Sequence, residues 1–128
     1  MLDGKKVLIV EDEAQMIESF KYKFKYKPVV KSVIPLYAKN IVEAENIITT
    51  ENPDLIFLDL SLADSNPPDG FEILKKFAKS HNIIVVSGYV KYEEECLALG
   101  AKGYMVKNNI EFIQMMELGE NVLNSLVK

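Results

Sequence analysis

The sequence is poor in the groups that build metal–thiolate centres and covalent frameworks. Its 128 residues include one cysteine, Cys96, and one histidine, His81. A lone cysteine excludes an intramolecular disulfide and reads as a small buried apolar residue. His81 has no cysteine or second histidine with which to share a metal. It reads as a loop residue and argues against a phosphohistidine carrier. Long apolar runs are also missing, since none approaches the roughly 20 residues needed to span a bilayer. The first residues, MLDGKKVLIVEDE, turn acidic straight after their apolar core and lack a signal-peptide cleavage pattern. A cytoplasmic protein with no membrane partner is therefore expected. A net charge of −4 argues against generic nucleic-acid binding. No internal repeat or linker breaks the chain, so residues 1–128 are expected to form a single domain without an output domain.

What is present is an alternation of short apolar runs and helical patterns. The stretch DLIFLDLSL organises the rest. Leu55, Ile56, Phe57 and Leu58 form a continuous apolar run, bounded by Pro53 and a polar loop and too short for a typical helix. Such a run reads as a strand buried on both faces, as in a parallel sheet covered by helices. Asp59 follows it directly, where a carboxylate gains nothing from burial unless a cation meets it. Taken alone, Asp59 is either a nucleophile or metal ligand, or a cap or turn aspartate.

Val7–Val10 is a second such run and ends in Glu11, Asp12 and Glu13. Met16, Ile17, Phe20 and Phe24 then recur at helical spacing. FKYKFKYK at the end of that helix alternates aromatic and lysine, so period two competes with period 3.6, and the helix is expected to stop near Pro28. Its lysines are either a basic patch for phosphate or lipid, or a solvated face with snorkelling stems. Val33–Ala38 reads as a strand confined by Pro35 to a sheet edge. Asn40 with Glu43 resembles a capping pair for a helix to about Thr50. After the central strand, SLADSNPPDG is a polar loop. Phe71, Ile73, Leu74, Phe77 and Ala78 mark the next helix, Ile83–Val86 the next strand, with Ser87-Gly88 at its end. A helix is expected over Lys91–Leu99, closing on Gly100. Tyr104–Val106 is the last strand, with Lys107 at its terminus. Asn108, three residues before Glu111, can cap a final helix through Ile113, Met116, Leu123 and Val127, in which Gly119 is a local weakness of about 1 kcal/mol. The pattern is (βα)5, a doubly wound parallel α/β domain.

In a doubly wound sheet of order 2-1-3-4-5, strands one and three flank the switch-point crevice beyond the strands' carboxyl ends. Glu11, Asp12, Asp59, Ser87 and Lys107 then converge on one pocket. Three crowded carboxylates repel one another and raise at least one pKa. A hard divalent cation removes that conflict, and Mg²⁺ with its remaining waters suits the ligand set. A metal-bound Asp59 can attack a phosphoryl group to give an aspartyl phosphate. The metal and Lys107 neutralise the equatorial oxygens and the Ser87 hydroxyl donates to one of them.

The motifs VLIVEDE, LIFLDLSL, DGFEIL, VVSG and GYMVK extend over nearly the whole chain. Together they resemble the receiver domains of two-component response regulators. The resemblance implies a flavodoxin-like receiver fold with Asp59 as phosphoacceptor. It implies Asp12 as direct metal ligand, Glu11 as its partner acid and the Ser61 carbonyl as a further Mg²⁺ contact. Ser87 and Tyr104 are implied as the hydroxyl and aromatic switch pair, and Lys107 as the phosphoryl-binding lysine. The implied partners are a sensor histidine kinase or histidine phosphotransfer protein, and a downstream protein docking on the face made by helix 4, strand 5 and helix 5. Such a domain catalyses its own phosphorylation and dephosphorylation rather than turning over an outside substrate, and Ser61 and Tyr89 would flank the path of attacking water.

The sequence departs from that pattern in places. Asn108 follows the lysine where the family usually has a cis proline, and a non-proline cis bond costs about 2.5–4 kcal/mol. The loop after Asp59 is longer than usual, with Ala63 in place of a proline, and Glu11 replaces the more frequent aspartate. No reacting group is lost. The alternative is a degenerate receiver, a constitutive protein-interaction module. A phosphatase of the haloacid-dehalogenase type fits poorly, because its nucleophile needs a second aspartate two residues on, where this chain has Ser61.

Overall fold

The computed structural model of the protein describes residues 2–26, 32–60, 68–107 and 112–125. Within them, five strands alternate with five helices: β1 (Lys6–Val10), α1 (Ala14–Tyr26), β2 (Ile34–Ala38), α2 (Ile41–Glu51), β3 (Leu55–Asp59), α3 (Phe71–Phe77), β4 (Ile83–Ser87), α4 (Glu93–Ala98), β5 (Gly103–Val106) and α5 (Phe112–Ser125). All strand pairings are parallel, in the order β2-β1-β3-β4-β5. The expected doubly wound topology is therefore the observed one.

The strand sequences explain why the sheet is covered on both sides. Alternate residues of a strand face opposite ways. Val7, Ile9, Leu55, Phe57 and Ile84 join one apolar cluster with Phe20 and Phe24 of α1 and with Phe112, Met115 and Met116 of α5. Leu8, Val10, Ile56, Leu58, Ile83 and Val85 join the other, with Ala44 and Ile48 of α2, Ile73 and Leu74 of α3, and Cys96 of α4. Every residue of β3 is buried, as an apolar run without alternation requires. Pro35 lies in β2 at the sheet edge, opposite Val7. Asn40 caps α2 as expected, its side chain accepting from the Glu43 N–H at 2.8 Å.

The alternating end of α1 resolves in favour of period 3.6. Phe20 and Phe24, four apart, are buried, whereas Lys21, Tyr22, Lys25 and Tyr26 are exposed. Edge-to-face packing of Phe24 on Phe112, with centroids 5.0 Å apart, fixes that phase. Lys21 pairs with Glu18 at 3.5 Å and Lys25 lies over the Tyr26 ring, so these lysines form a solvated face. The helix stop near Pro28, the Asn108–Glu111 cap and Val127 lie outside the described residues.

Three expectations shift. The fourth helix, Glu93–Ala98, is shorter than Lys91–Leu99, because the chain leading into it is held in a turn. The Ser87 side chain takes the Tyr89 N–H at 3.1 Å, and the Val90 carbonyl takes the Glu93 N–H in a tight turn. The apolar stripe of α5 is Phe112, Met115, Met116, Gly119 and Val122, while Ile113 is exposed. Gly119 is a contact point and not merely a weak link. A Cβ there would stand 2.5 Å from Leu55 Cδ2 and 3.3 Å from Phe57 Cζ, so α5 approaches the sheet as closely as only glycine permits.

Candidate functional site

Parallel pairing brings the carboxyl ends of the inner strands level with one another. Val10 is opposite Leu58, Asp59 opposite Val86, and Ser87 opposite Val106. The residue that ends or follows each strand therefore reaches the same rim. The Glu11 N–H binds the Ala38 carbonyl at 2.9 Å, which holds the chain in strand direction one residue past β1 and turns Glu11 inward. Glu11, Asp59 and Ser87 are the buried polar or charged residues among those described.

Lys107, at the end of β5, reaches across the rim. Its Nζ donates to Asp59 Oδ2 at 2.9 Å and lies 3.3–3.4 Å from both Glu11 carboxylate oxygens. Asp12 is exposed at the mouth, and one carboxylate oxygen each from Glu11, Asp12 and Asp59 falls within a 4.8 Å group. These side chains come from three strand ends and meet as expected. Ser61 and Asn108 lie outside the described residues.

The electrostatics follow from burial. Glu11 is pushed up from 4.5 to about 8, first by burial, then by its hydrogen bond to Asp59 and by that neighbour's charge, with Lys107 opposing. Burial and the Asp59 charge raise Asp12 as well. Burial alone would lower Lys107, but the Asp59 hydrogen bond and the two carboxylate charges reverse the direction. One lysine thus faces three carboxylates, two of them raised, so the cluster accommodates more positive charge than the chain supplies. Hard oxygen donors at this spacing fit a small divalent cation. Glu11, Asp12 and Asp59 are the residues that would hold it.

Beside the cluster, the Ser87 side chain is fully buried and accepts from the Tyr89 N–H. Tyr104 lies half-buried against the cluster that contains Cys96, and its hydroxyl donates to the Tyr89 carbonyl. Burial raises the Tyr104 pKa, and a hydrogen bond with Ser87 opposes that rise. One short segment, Ser87 to Tyr89, therefore connects the buried hydroxyl at the rim to the ring on β5. Below the carboxylates, a cavity of about 80 Å³ opens between the sheet and helices α1 and α5. The sequence gives no sign of it, because Met16, Phe20, Phe112 and Met115 carry the same helical spacing whether a gap lies between them or not.

His81 stands far from the rim. Its Nε2 meets Asn52 Oδ1 and its Nδ1 meets Ser80 Oγ, each at 2.9 Å, which ties the end of α2 to the turn before β4. Among the described residues, no helix is long and apolar enough to cross a membrane.

The chain resembles known proteins over most of its length. The family model of the response regulator receiver domain matches residues 7–117. The sensory transduction protein LytT of Enterococcus faecalis is 33% identical over 101 residues, covering 79% of this chain and 41% of that protein. The chain thus spans about two fifths of the length of that curated relative. Among solved structures, the CheY-like response regulator receiver domain protein of Methanospirillum hungatei superposes with a TM-score of 0.80 at 25% identity, covering 94% of both chains. The response regulator protein TrrA of Thermotoga maritima, solved in complex with Mg²⁺-BeF, superposes with a TM-score of 0.75 at 24% identity, covering 92% of this chain and 98% of that one.

Proposed function

The chain belongs to the response regulator receiver domain family, and from that premise we propose that it is a phosphoacceptor switch centred on Asp59. The observation that carries the reading is the Lys107 ammonium between the Asp59 and Glu11 carboxylates at the carboxyl ends of β1, β3 and β5. The phosphoryl group comes from a phosphohistidine on a sensor histidine kinase or histidine phosphotransfer protein. An Asp59 carboxylate oxygen attacks phosphorus, a P–O bond forms, and the P–N bond breaks with its electron pair leaving on the imidazole. Lys107 moves from the carboxylate oxygen it now holds to a phosphoryl oxygen, and the Ser87 hydroxyl donates to another. Mg²⁺ held by Glu11, Asp12, Asp59 and the Ser61 carbonyl would neutralise the phosphoryl oxygens.

The output is a surface. When Ser87 turns towards the phosphoryl group it releases the Tyr89 N–H, and the segment that also holds the Tyr104 hydroxyl is free to repack. The two packings around α4, β5 and α5 then present different faces to a downstream protein. The shift between them is driven by contacts that only the phosphorylated state makes. A constitutive interaction module is the weaker reading, because the reacting carboxylate, the lysine, the hydroxyl and the acidic pocket are all retained.

The test is incubation with a small acyl phosphate and Mg²⁺, followed by intact mass measurement. The parent should gain one phosphoryl group and Asp59→Asn should gain none. A parent that gains none under conditions in which a known receiver is modified would overturn the proposal.

A further inference from the structure

For five of the chain's six glycines, the nearest atom to an added Cβ would belong to a side chain, or none would lie within 4 Å. Gly70 differs. A Cβ there would stand 2.5 Å from the Leu60 carbonyl oxygen, 2.7 Å from its Cα and 2.9 Å from its carbonyl carbon. All three are backbone atoms, which have no alternative rotamer to move into. The approach is also a hydrogen bond, because the Gly70 N–H donates to the Leu60 carbonyl at 2.7 Å.

Leu60 follows Asp59 directly. The paired part of β3 ends at Asp59, opposite Val86, so Leu60 lies one residue beyond the ladder, yet it is fully buried. The other side of the contact is firmly seated. Phe71, Ile73 and Leu74 of α3 are buried, and Phe71 packs edge-on against Tyr92 with centroids 5.6 Å apart. The Ile73 and Leu74 N–H groups bind the Gly70 carbonyl at 3.1 and 3.3 Å. A displacement forced at Gly70 therefore passes to Leu60, and one peptide further to Asp59.

We infer that Gly70 is a positioning residue for Asp59. Its missing side chain lets the start of α3 press on the Leu60 main chain and so fixes the strand end at which Asp59 Oδ2 meets the Lys107 ammonium at 2.9 Å. A glycine needed for packing alone would resemble Gly119, whose nearest neighbours are the side-chain ends of Leu55 and Phe57. With alanine at position 70, the 2.5 Å contact must open to at least 3.4 Å, a movement of about 1 Å. Misplacement on that scale costs about a hundredfold in rate where a reacting group must be aligned. The inference deepens the proposed function and rests on it for the rate; the placement of the carboxylate is a property of the folded chain without metal or donor.

Gly70→Ala and Ile48→Val test it side by side. Ile48 of α2 belongs to the same apolar cluster as Leu60 and Phe71, so its truncation loosens that core from a different helix. In metal-free protein without a phosphoryl donor, NMR follows the side-chain carboxyl carbon of Asp59. Gly70→Ala should shift that signal, and Ile48→Val should leave it parent-like. With acyl phosphate and Mg²⁺, the initial rate of mass gain should fall about a hundredfold in Gly70→Ala and stay parent-like in Ile48→Val. An unchanged Asp59 signal in Gly70→Ala, an equal shift in Ile48→Val, or a parent-like rate in Gly70→Ala would each overturn the inference. A parent that takes up no phosphoryl group overturns the proposed function instead, and the carboxyl signal then decides the positioning role. If Gly70→Ala unfolds in buffer, trimethylamine N-oxide, which favours the compact state, restores the same comparison. In the parent, a scalar coupling across the hydrogen bond should link the Gly70 amide nitrogen to the Leu60 carbonyl carbon, and its absence would remove the contact on which the inference stands.

Discussion

Replacing Gly119 by alanine separates two opposing predictions about α5. Helix propensity alone favours the substitution by about 1 kcal/mol, because glycine in a helix interior costs about that much relative to alanine. The packing of α5 on the sheet opposes it. The added Cβ would lie 2.5 Å from Leu55 Cδ2 and 3.3 Å from Phe57 Cζ, and Leu55 is fully buried. A contact of that length must open by nearly 1 Å, and the Leu55 methyl moves into a filled core. Overpacking of this kind costs about 1–3 kcal/mol, so Gly119→Ala should destabilise the protein by about 1 kcal/mol net. The sign should reverse when the obstruction is removed. Leu55→Ala alone should cost about 2–5 kcal/mol by leaving a cavity. In that background Gly119→Ala refills part of the space and regains its helix propensity, so it should stabilise by about 1 kcal/mol. The coupling energy in the cycle is then about 2 kcal/mol. Urea denaturation of the four proteins, followed by far-ultraviolet circular dichroism, measures it. If Gly119→Ala stabilises both backgrounds equally, α5 does not rest on Leu55 as described.

Other consequences concern the site. Asp12→Ala should abolish Mg²⁺ binding in a calorimetric titration, because Glu11 and Asp59 are already engaged by Lys107; parent-like affinity would place the metal elsewhere. Without metal, Glu11 binds its proton more tightly folded than unfolded, since its pKa rises from 4.5 to about 8. Its contribution to stability is therefore complete below about pH 4.5 and is lost as pH rises through about 8. The melting temperature of metal-free protein should fall over that window, and the Glu11 component of the fall should vanish in Glu11→Gln; an unchanged profile would refute the assignment. Lys107→Ala should still take up phosphoryl groups, though more slowly, and with beryllofluoride bound it should lose the amide shifts in β5 and α5 that the parent shows. A parent that binds the mimic without such shifts would favour a constitutive module.

The parts of the molecule that were legible from sequence are those specified by local pattern. LIFL without alternation specifies a strand covered on both faces, and Pro35 specifies the edge. The acidic and basic rim followed from strand ends, because parallel pairing brings successive strand termini level whatever the loops do. What stayed hidden depends on distances between elements that no local pattern encodes. Gly119 looks the same as a helix defect or as a contact point until Leu55 is seen against it. The start of α4 at Glu93 depends on a turn in which the Val90 carbonyl takes the Glu93 N–H, while the neighbouring Tyr89 carbonyl is held by Tyr104, a residue distant in sequence. Lys23, one lysine in an alternating run, gives no hint that it borders a cavity.

The position of Pro35 has a further consequence for the behaviour of the protein at high concentration. In a parallel strand, alternate residues direct their N–H groups to opposite sides. The Ile34 N–H points inward to the Lys5 carbonyl, so residues 35 and 37 are the ones that face away from the sheet. Proline has no N–H, which leaves Tyr37 as the outward donor along β2. An incoming strand would therefore find an interrupted ladder where VIPLYA, largely apolar and partly exposed, would otherwise offer a template for edge-to-edge growth. Pro35 thus acts against self-association of the sheet.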